Sequence, residues 1–475
     1  MSEPNLDTSF GAVETQFNVL RRGYGSLPYP SVAVRKQRLL KLKALILDNQ
    51  DALIAAISAD FTIRASNDTL SAEVLPSIMG INDTMKKLGR WMKPERKFVN
   101  LLFQPATAKV LNQPLGVIGI IAPWNYPLFL TVGPLTSALA AGNVALVKVS
   151  EFTPNFGVLF ERLVGEYFDE TEIRVVNGDV SVAQAFSELP FDHMLFTGST
   201  AVGKHIMRAA SQNLTPVTLE LGGKSPVVID PSMPIREAAA RLVFPKCVNA
   251  GQTCVAPDYV LCPKKDIEEF VQHFMVEAKR QFPTVSDNND YTAIINDRQR
   301  ARLVGYVEEA VAKGAKAHIA GESDDLADYG AKLPPILLTN VPLDCAVMQD
   351  EIFGPILPII GYETLAEAVR FINLRPRPLA LYVFGYDASL KPVFELQTHS
   401  GALVFNEAMI HVAMDNLPFG GVGPSGMGHY HGEYGFQTFS KAKPVLSKGR
   451  FSSLKLVYPP YKSWLMSSIM RIFGR

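Results

Sequence analysis

The chain is predicted to fold as an α/β protein on a mostly parallel sheet, and three observations carry that prediction. From Gly116 onward, short apolar runs alternate with helix-patterned segments, as βαβ units require. The strand-like runs, GVIGIIAP among them, are apolar throughout, as strands covered on both faces are. At 475 residues the chain also exceeds one ordinary core, so two or three domains are expected.

Taken in order, Ser31 to Phe61 reads as helical, with Leu39, Leu40, Leu42, Leu45, Ile46, Leu53 and Ile54 recurring near helical spacing. A second helical stretch spans Leu70 to Met92 and stops at the charge cluster and proline of Lys93–Lys97. Phe98 to Leu111 is short and β-like. The alternation then gives strand 116–123, helix 128–141 stopped by Gly142-Asn143, strand 144–149 and helix 154–168. It continues with strand 172–176, a helix near 180–188, strand 193–197, helix 201–211 and strand 216–220. This is a nucleotide-binding type of architecture, with ligands at the carboxyl ends of the strands. After Gly222-Gly223 a second α/β domain is expected: helix 234–249, strand 257–262, helices 265–281 and 297–313, and strands 316–320 and 335–339. Beyond Leu417 the glycine-rich PFGGVGPSGMGHYHGEYG lacks periodicity and is taken as a folded loop near a site. In the tail, Ser463, Ser467 and Arg471 line one stripe, with Trp464, Leu465, Ile469, Ile472 and Phe473 away from it.

Composition excludes several classes. Hydrophobic residues at 47% and charged ones at 19% describe a packed protein and argue against disorder. Lys plus Arg equals Asp plus Glu at 46 each, without the basic excess that a nucleic-acid partner demands. The four cysteines (Cys247, Cys254, Cys262, Cys345) show no CxxC spacing, so neither disulfide scaffold nor structural zinc is expected, and a reducing, cytoplasmic setting is the default. The N-terminus has acidic residues and no apolar core of a signal peptide. Val110 to Val147 carries no charge, but Pro114, Pro123, Pro127 and Pro134 interrupt it, and it reads as buried core rather than a membrane span.

Five motifs could carry chemistry. Asn249-Ala-Gly-Gln-Thr-Cys254 sets a cysteine among small polar residues, where backbone N–H groups would favour a thiolate nucleophile; taken alone, an inert packing cysteine is the alternative. Trp124-Asn-Tyr-Pro127 ends a strand, and Asn125 could aim its amide at an oxyanion or simply make an Asx turn. Phe196-Thr-Gly-Ser-Thr-Ala-Val-Gly-Lys204 opens a helix, and Gly198, Ser199 and Gly203 suit either a phosphate cradle or close helix–strand packing. A P-loop is disfavoured there because His205 stands where the Mg²⁺-binding hydroxyl belongs. Glu220 closes the apolar strand TPVTLE, where partial burial would raise its pKa and suit a general base. Glu351-Ile-Phe-Gly-Pro355 offers a further carboxylate beside Phe353, and Lys148 with Glu151 could hold ribose hydroxyls or form a solvated pair. No HExxH, Cys/His cluster or GxSxG is present, so neither metal nor serine hydrolase is indicated.

Together, WNYP, GSTAVG, ELGGKSP, GQTC and EIFGP, in order from Gly116 to Gly435, closely resemble the aldehyde dehydrogenase superfamily over about two-thirds of the chain. The LPFGGVGPSGMGHYHGEYGFQTFSK ending and the YPPY after it resemble the class 3 branch, and RWMKPER and GHYHG resemble its coniferyl aldehyde dehydrogenases. The resemblance implies a Rossmann-type NAD-binding domain (1–97 and 115–222), a catalytic domain (223–422), a small β oligomerisation arm (98–114 and 436–450) and a tail (451–475). It implies Cys254 as nucleophile, Asn125 with the Cys254 N–H as oxyanion donors, and Glu220 as the base that hydrolyses a thioester. For the cofactor it implies Trp124 and Phe353 at the site, Lys148 and Glu151 at the adenosine ribose, Gly198, Ser199 and Gly203 at the pyrophosphate, and Glu351 at the nicotinamide ribose. Glu151 implies a preference for NAD without excluding NADP, and Val149, replacing the family's usual proline, is expected to loosen that loop. Asn406 and LPFGGVG are implied near the substrate mouth, and a homodimer acting on an aromatic aldehyde such as coniferyl aldehyde is implied overall, with a broad or fatty aldehyde dehydrogenase as the alternative.

Overall fold

The computed structural model describes residues 6–452, 458–460 and 463–474. The extreme N-terminus, Tyr461 of the YPPY stretch and the side chains of Ser463, Leu465, Ile469 and Phe473 lie outside the described residues, so the expectations about a leader and the full tail stripe are not addressed. The strands in chain order are β1 (Glu95–Lys97), β2 (Ala106–Pro114), β3 (Val117–Ile121), β4 (Val144–Lys148), β5 (Ile173–Val176), β6 (His193–Gly198), β7 (Val217–Leu221) and β8 (Pro226–Ile229). They continue as β9 (Tyr259–Pro263), β10 (Lys316–Ile319), β11 (Ile336–Thr339), β12 (Ile356–Tyr362), β13 (Ala380–Phe384), β14 (Ala402–Phe405), β15 (Gly426–Met427) and β16 (Ser440–Lys448).

They form three sheets. The first runs β15-β7-β6-β3-β4-β5, parallel except where β15 lies antiparallel on β7. The second runs β10-β11-β12-β9-β8-β13-β14, parallel except for edge strand β10. The third, β1-β2-β16, is antiparallel. Every residue of β3, β4, β8, β9 and β13 is buried, which is why these runs are apolar at both parities.

The uncharged Val110–Val147 region resolves into β2, β3, the helix Phe129–Ala141 and β4. That helix is buried at every position but Gly133, as expected of a helix apolar all round. Its end is built by two residues. Gly142 takes a left-handed φ of 96° and returns its N–H to Ala138 and Leu139. Arg35, fully buried, donates Nη1 to the carbonyls of Ala140 (3.0 Å) and Ala141 (2.6 Å), satisfying acceptors that the helix leaves unpaired. No helix among the described residues is long and apolar enough to cross a membrane.

Several expectations are corrected. Lys93–Lys97 does not merely end a helix: β1 pairs with β2, so the small sheet begins at Glu95, ahead of the expected boundary at 98. Residues 6–26 form a helix that a mixed polar sequence does not reveal, and β8, β12, β13 and the edge strand β14 go beyond the expected elements because short apolar strands lack a period. The glycine-rich stretch is not wholly irregular, holding β15 and the helix Gly432–Thr438.

A Cβ at Gly142 would lie 2.6 Å from Arg35 Cζ and require a positive φ. Gly142→Ala is expected to cost about 1–3 kcal/mol, read as a lower thermal-unfolding midpoint.

Candidate active site

The cysteine motif leaves the helix Ile235–Cys247 through a tight turn in which Asn249, Ala250 and Gly251 all take positive φ (51°, 51°, 70°). Gly251 is required there, since a Cβ would stand 2.5 Å from the Gly354 carbonyl. Gln252 is buried and fully used: Nε2 donates to Asn249 O (2.9 Å) and Ala293 O (3.0 Å), and Oε1 accepts from Ile295 N (3.0 Å). The Thr253 hydroxyl bonds Tyr126 (2.7 Å). Cys254 follows, half-buried, whereas the other three cysteines are fully buried and free.

The WNYP segment meets this turn directly. Asn125 Nδ2 donates one hydrogen to Gln252 O (3.1 Å), which fixes the amide two residues from the thiol and leaves its second hydrogen uncommitted to that bond. Asn125 is therefore not merely an Asx turn. Glu220 arrives from β7, buried at 3% exposure with both carboxyl oxygens unpartnered among the described residues. Burial holds its pKa well above the ordinary carboxylate value.

Two influences compete at the thiol. Burial first, then the Glu351 and Glu220 carboxylates, push Cys254 up to about 12, against the backbone N–H groups of Cys254 and Val255 that pull it down. The backbone amides expected to favour a thiolate are present, and desolvation opposes them.

The residues expected at a dinucleotide sit along the carboxyl ends of the first sheet. Lys148 ends β4, buried, with Nζ 3.5 Å from Glu151 and donating to Val149 O (2.7 Å); burial lowers its pKa despite Glu151. Val149 is 1% exposed, and the turn after it closes by Thr153 N to Ser150 O (3.2 Å). Ser199 caps the helix Thr200–Ser211, its hydroxyl accepting from Val202 N (3.4 Å). Gly198 admits the Phe196 ring, and Gly203 faces the sheet, where a Cβ would be 2.6 Å from Leu221 Cδ2; its contribution is close approach of helix to β7. His205 is exposed on that helix.

Trp124 packs edge-on against Phe353 at 5.3 Å, and Phe353 takes a φ of 52°. Glu351 lies so close over Gly222 that any Cβ there would collide with its carboxylate. Its Oε1 is buried without a partner, and burial raises its pKa to about 8. A cleft of about 560 Å³ runs past Thr200, Gly222, Lys224, Glu351 and Arg377 between the two large sheets. Asn406, expected near the mouth, spends its side chain on Gly385 N–H (2.8 Å). Among the described residues no His/Cys/Asp/Glu group could hold a metal.

Sequence reading missed the supports. Lys224 donates to the carbonyls of Val347 and Asp350 (2.8 Å each), and Arg302 to that of Ile352 (2.8 Å), pinning the Glu351 loop. Arg64, buried with Glu73 at 3.0 Å, donates to Asn125 O (2.9 Å). Lys224 lies within ELGGKSP but drew no role there, and no motif flags Arg302, Arg64 or Glu73, because their partners are remote in sequence.

The chain belongs to the aldehyde dehydrogenase family, whose model matches residues 21–445. It is 52% identical over 464 residues to a Pseudomonas aeruginosa protein named probable coniferyl aldehyde dehydrogenase, covering 98% of this chain and 96% of that one. It is 47% identical to the coniferyl aldehyde dehydrogenase of a Pseudomonas species, over 88% of this chain and 86% of the relative. Among solved structures, Staphylococcus aureus AldH in a substrate-bound state matches with a TM-score of 0.91 and 36% identity, covering 97% and 99% of the two chains. A Mycobacterium tuberculosis aldehyde dehydrogenase complexed with NAD+ matches at 0.82 and 27%, covering 92% and 90%.

Because the Cys254 thiol is held up to about 12, alkylation of the unliganded protein by iodoacetamide should be slow at neutral pH and climb steadily with pH. Glu351 ionises first, near 8, so above that pH its charge opposes the thiolate. Glu351→Gln is then expected to speed alkylation there.

Proposed function

We propose that the protein oxidises an aryl-propenal such as coniferyl aldehyde to its acid, with Cys254 as nucleophile and NAD as preferred hydride acceptor. The observation that carries this reading is the convergence of Cys254, the Asn125 amide and the unpartnered Glu220 carboxylate. Cys254 Sγ gives up its proton to solvent and attacks the carbonyl carbon as thiolate, and the oxyanion is held by the Asn125 amide and the Cys254 N–H. Hydride loss from that carbon leaves a thioester on Cys254. Glu220, poorly solvated and hence strongly basic once ionised, takes a proton from water, which attacks the thioester and releases the acid.

The residues present fit NAD. The orphaned Glu351 Oε1, the bare Gly222 beneath it and the Lys148–Glu151 pair are polar groups awaiting hydroxyl partners. The N-terminus of Thr200–Ser211 favours a pyrophosphate. When bound, NAD supplies the acceptor for hydride. Glu351 would hold the nicotinamide ribose and Glu151 the adenosine ribose, where a carboxylate repels the 2′-phosphate of NADP and sets a preference rather than an exclusion.

The aryl substrate is supported by the names of the two Pseudomonas relatives. A fatty aldehyde is the second reading, favoured by exposed Trp464, Met470 and Ile472 on the tail helix. A cytoplasmic homodimer completes the proposal; Phe98, Leu101 and Leu446 expose apolar surface at or beside the small sheet, which a second copy would cover.

Steady-state kinetics across an aldehyde panel test the substrate: higher kcat/KM for coniferyl aldehyde than for medium-chain alkanals is expected, and the reverse overturns it. Cys254→Ala should abolish NAD reduction. Glu220→Gln should give about one equivalent of NADH in a burst, then turnover lower by about 10²–10⁴-fold.

A further inference from the structure

The turn before Cys254 contains two non-glycine residues, Asn249 and Ala250, in left-handed conformation. Such residues persist where surrounding contacts over-determine them, and they cluster at functional sites. Most bonds that hold this turn are made by side chains. Asn249 Nδ2 donates to Asn125 O (3.0 Å) and Gln252 O (3.3 Å), and Gln252 Nε2 returns to Asn249 O (2.9 Å). The backbone itself is gripped from outside at its first left-handed residue: Asn249 N–H donates to Asp68 Oδ2 (3.0 Å). The same oxygen accepts the Thr292 hydroxyl (2.8 Å), and Thr292 adjoins Ala293, whose carbonyl anchors Gln252.

Asp68 belongs to a short segment that also carries the other limb of the site. It lies in the helical turn Ser66–Thr69, followed by the π-helical turn Leu70–Val74. Glu73, in that π turn, accepts from Leu128 N (2.7 Å) and Phe129 N (3.1 Å), just past the WNYP motif, and pairs with Arg64. Arg64 in turn holds Asn125 O. One stretch of ten residues therefore grips both the backbone that bears the oxyanion amide and the backbone that bears the thiol.

We infer that Asp68 is a positioning residue for the nucleophile: its single oxygen on Asn249 N–H fixes the left-handed turn, and thereby the place of Cys254 relative to the Asn125 amide. The inference rests on Cys254 being the nucleophile. Asp68 touches no reacting atom, and what it supplies is an acceptor at one point, not a charge. Asparagine at 68 can place its amide oxygen there and accept both bonds, whereas alanine can accept neither.

The test compares Asp68→Ala, Asp68→Asn and Thr292→Val with wild type, as full chains of verified fold. The readouts are kcat and KM for the aldehyde, and the alkylation rate of Cys254 at pH 8, located by mass spectrometry. Asp68→Ala should lose about 10²-fold in kcat with KM changed less than about threefold, the signature of a displaced reacting group. Its Cys254 should alkylate about tenfold more slowly, as the sulfur moves off the N–H groups that favour its thiolate. Asp68→Asn should remain within about threefold of wild type in both readouts. Activity in Asp68→Ala within about threefold of wild type, or lost only in proportion to unfolded protein, overturns the inference. So does an Asp68→Asn protein as impaired as the alanine variant. If Asp68→Ala does not fold, the other two decide: both keep the acceptor on Asn249, so both should retain kcat and alkylation rate, and a loss of about 10²-fold in either overturns it. Retained turnover in Cys254→Ala would instead refute the proposed function, and the alkylation rates would still judge Asp68.

Discussion

The dry space shared by Cys254, Glu220 and Glu351 is the constraint on which the site depends. Each group would ionise readily in water; none is left free to do so where the fold puts it. Burial penalises every charge, and each anion formed raises the cost of the next. All three groups are thus shifted toward their protonated forms. A sulfur kept as thiol is protected from stray oxidation and alkylation. A carboxylate kept protonated becomes a strong base at the moment it is released.

Such a centre tolerates little positional slack, and the surrounding structure spends its buried polar groups on limiting it. Gln252 has every hydrogen-bonding atom of its amide engaged. Lys224 and Arg302 clamp the carbonyls around Glu351, Arg64 clamps that of Asn125, and Asp68 accepts the Asn249 N–H ahead of Cys254. The cations that donate to backbone carbonyls serve geometry here, since a carbonyl moves with the chain that carries it. The strained residues Asn249, Ala250 and Phe353 all fall within these clamps.

What the sequence disclosed follows from the same physics. The alternation from Gly116 was legible because buried parallel strands and amphipathic helices have opposite periodicities, and predicted ends fell within a few residues of those observed. The chemistry-bearing residues were legible through motifs at strand ends. Arg64, Asp68 and Glu73 were not, since an ionic residue in a loop or helical turn looks solvated until its remote partner is known. The desolvation of Cys254 was not legible because composition reports the polarity of neighbours and not how much water they exclude. The strands between Asn340 and Leu417 escaped because apolar runs of four to seven residues resemble helix cores.

Strand β16 lies against β2 along its whole length, from Ser440 opposite Pro114 to Lys448 opposite Ala106. On a ribosome, β2 therefore emerges about three hundred residues before the strand that completes it. Throughout that interval its hydrogen-bonding edge is open, and an open edge recruits whatever extended chain comes first. The nascent protein is thus most vulnerable to mispairing late in synthesis, when both large sheets can already be in place and this small one cannot.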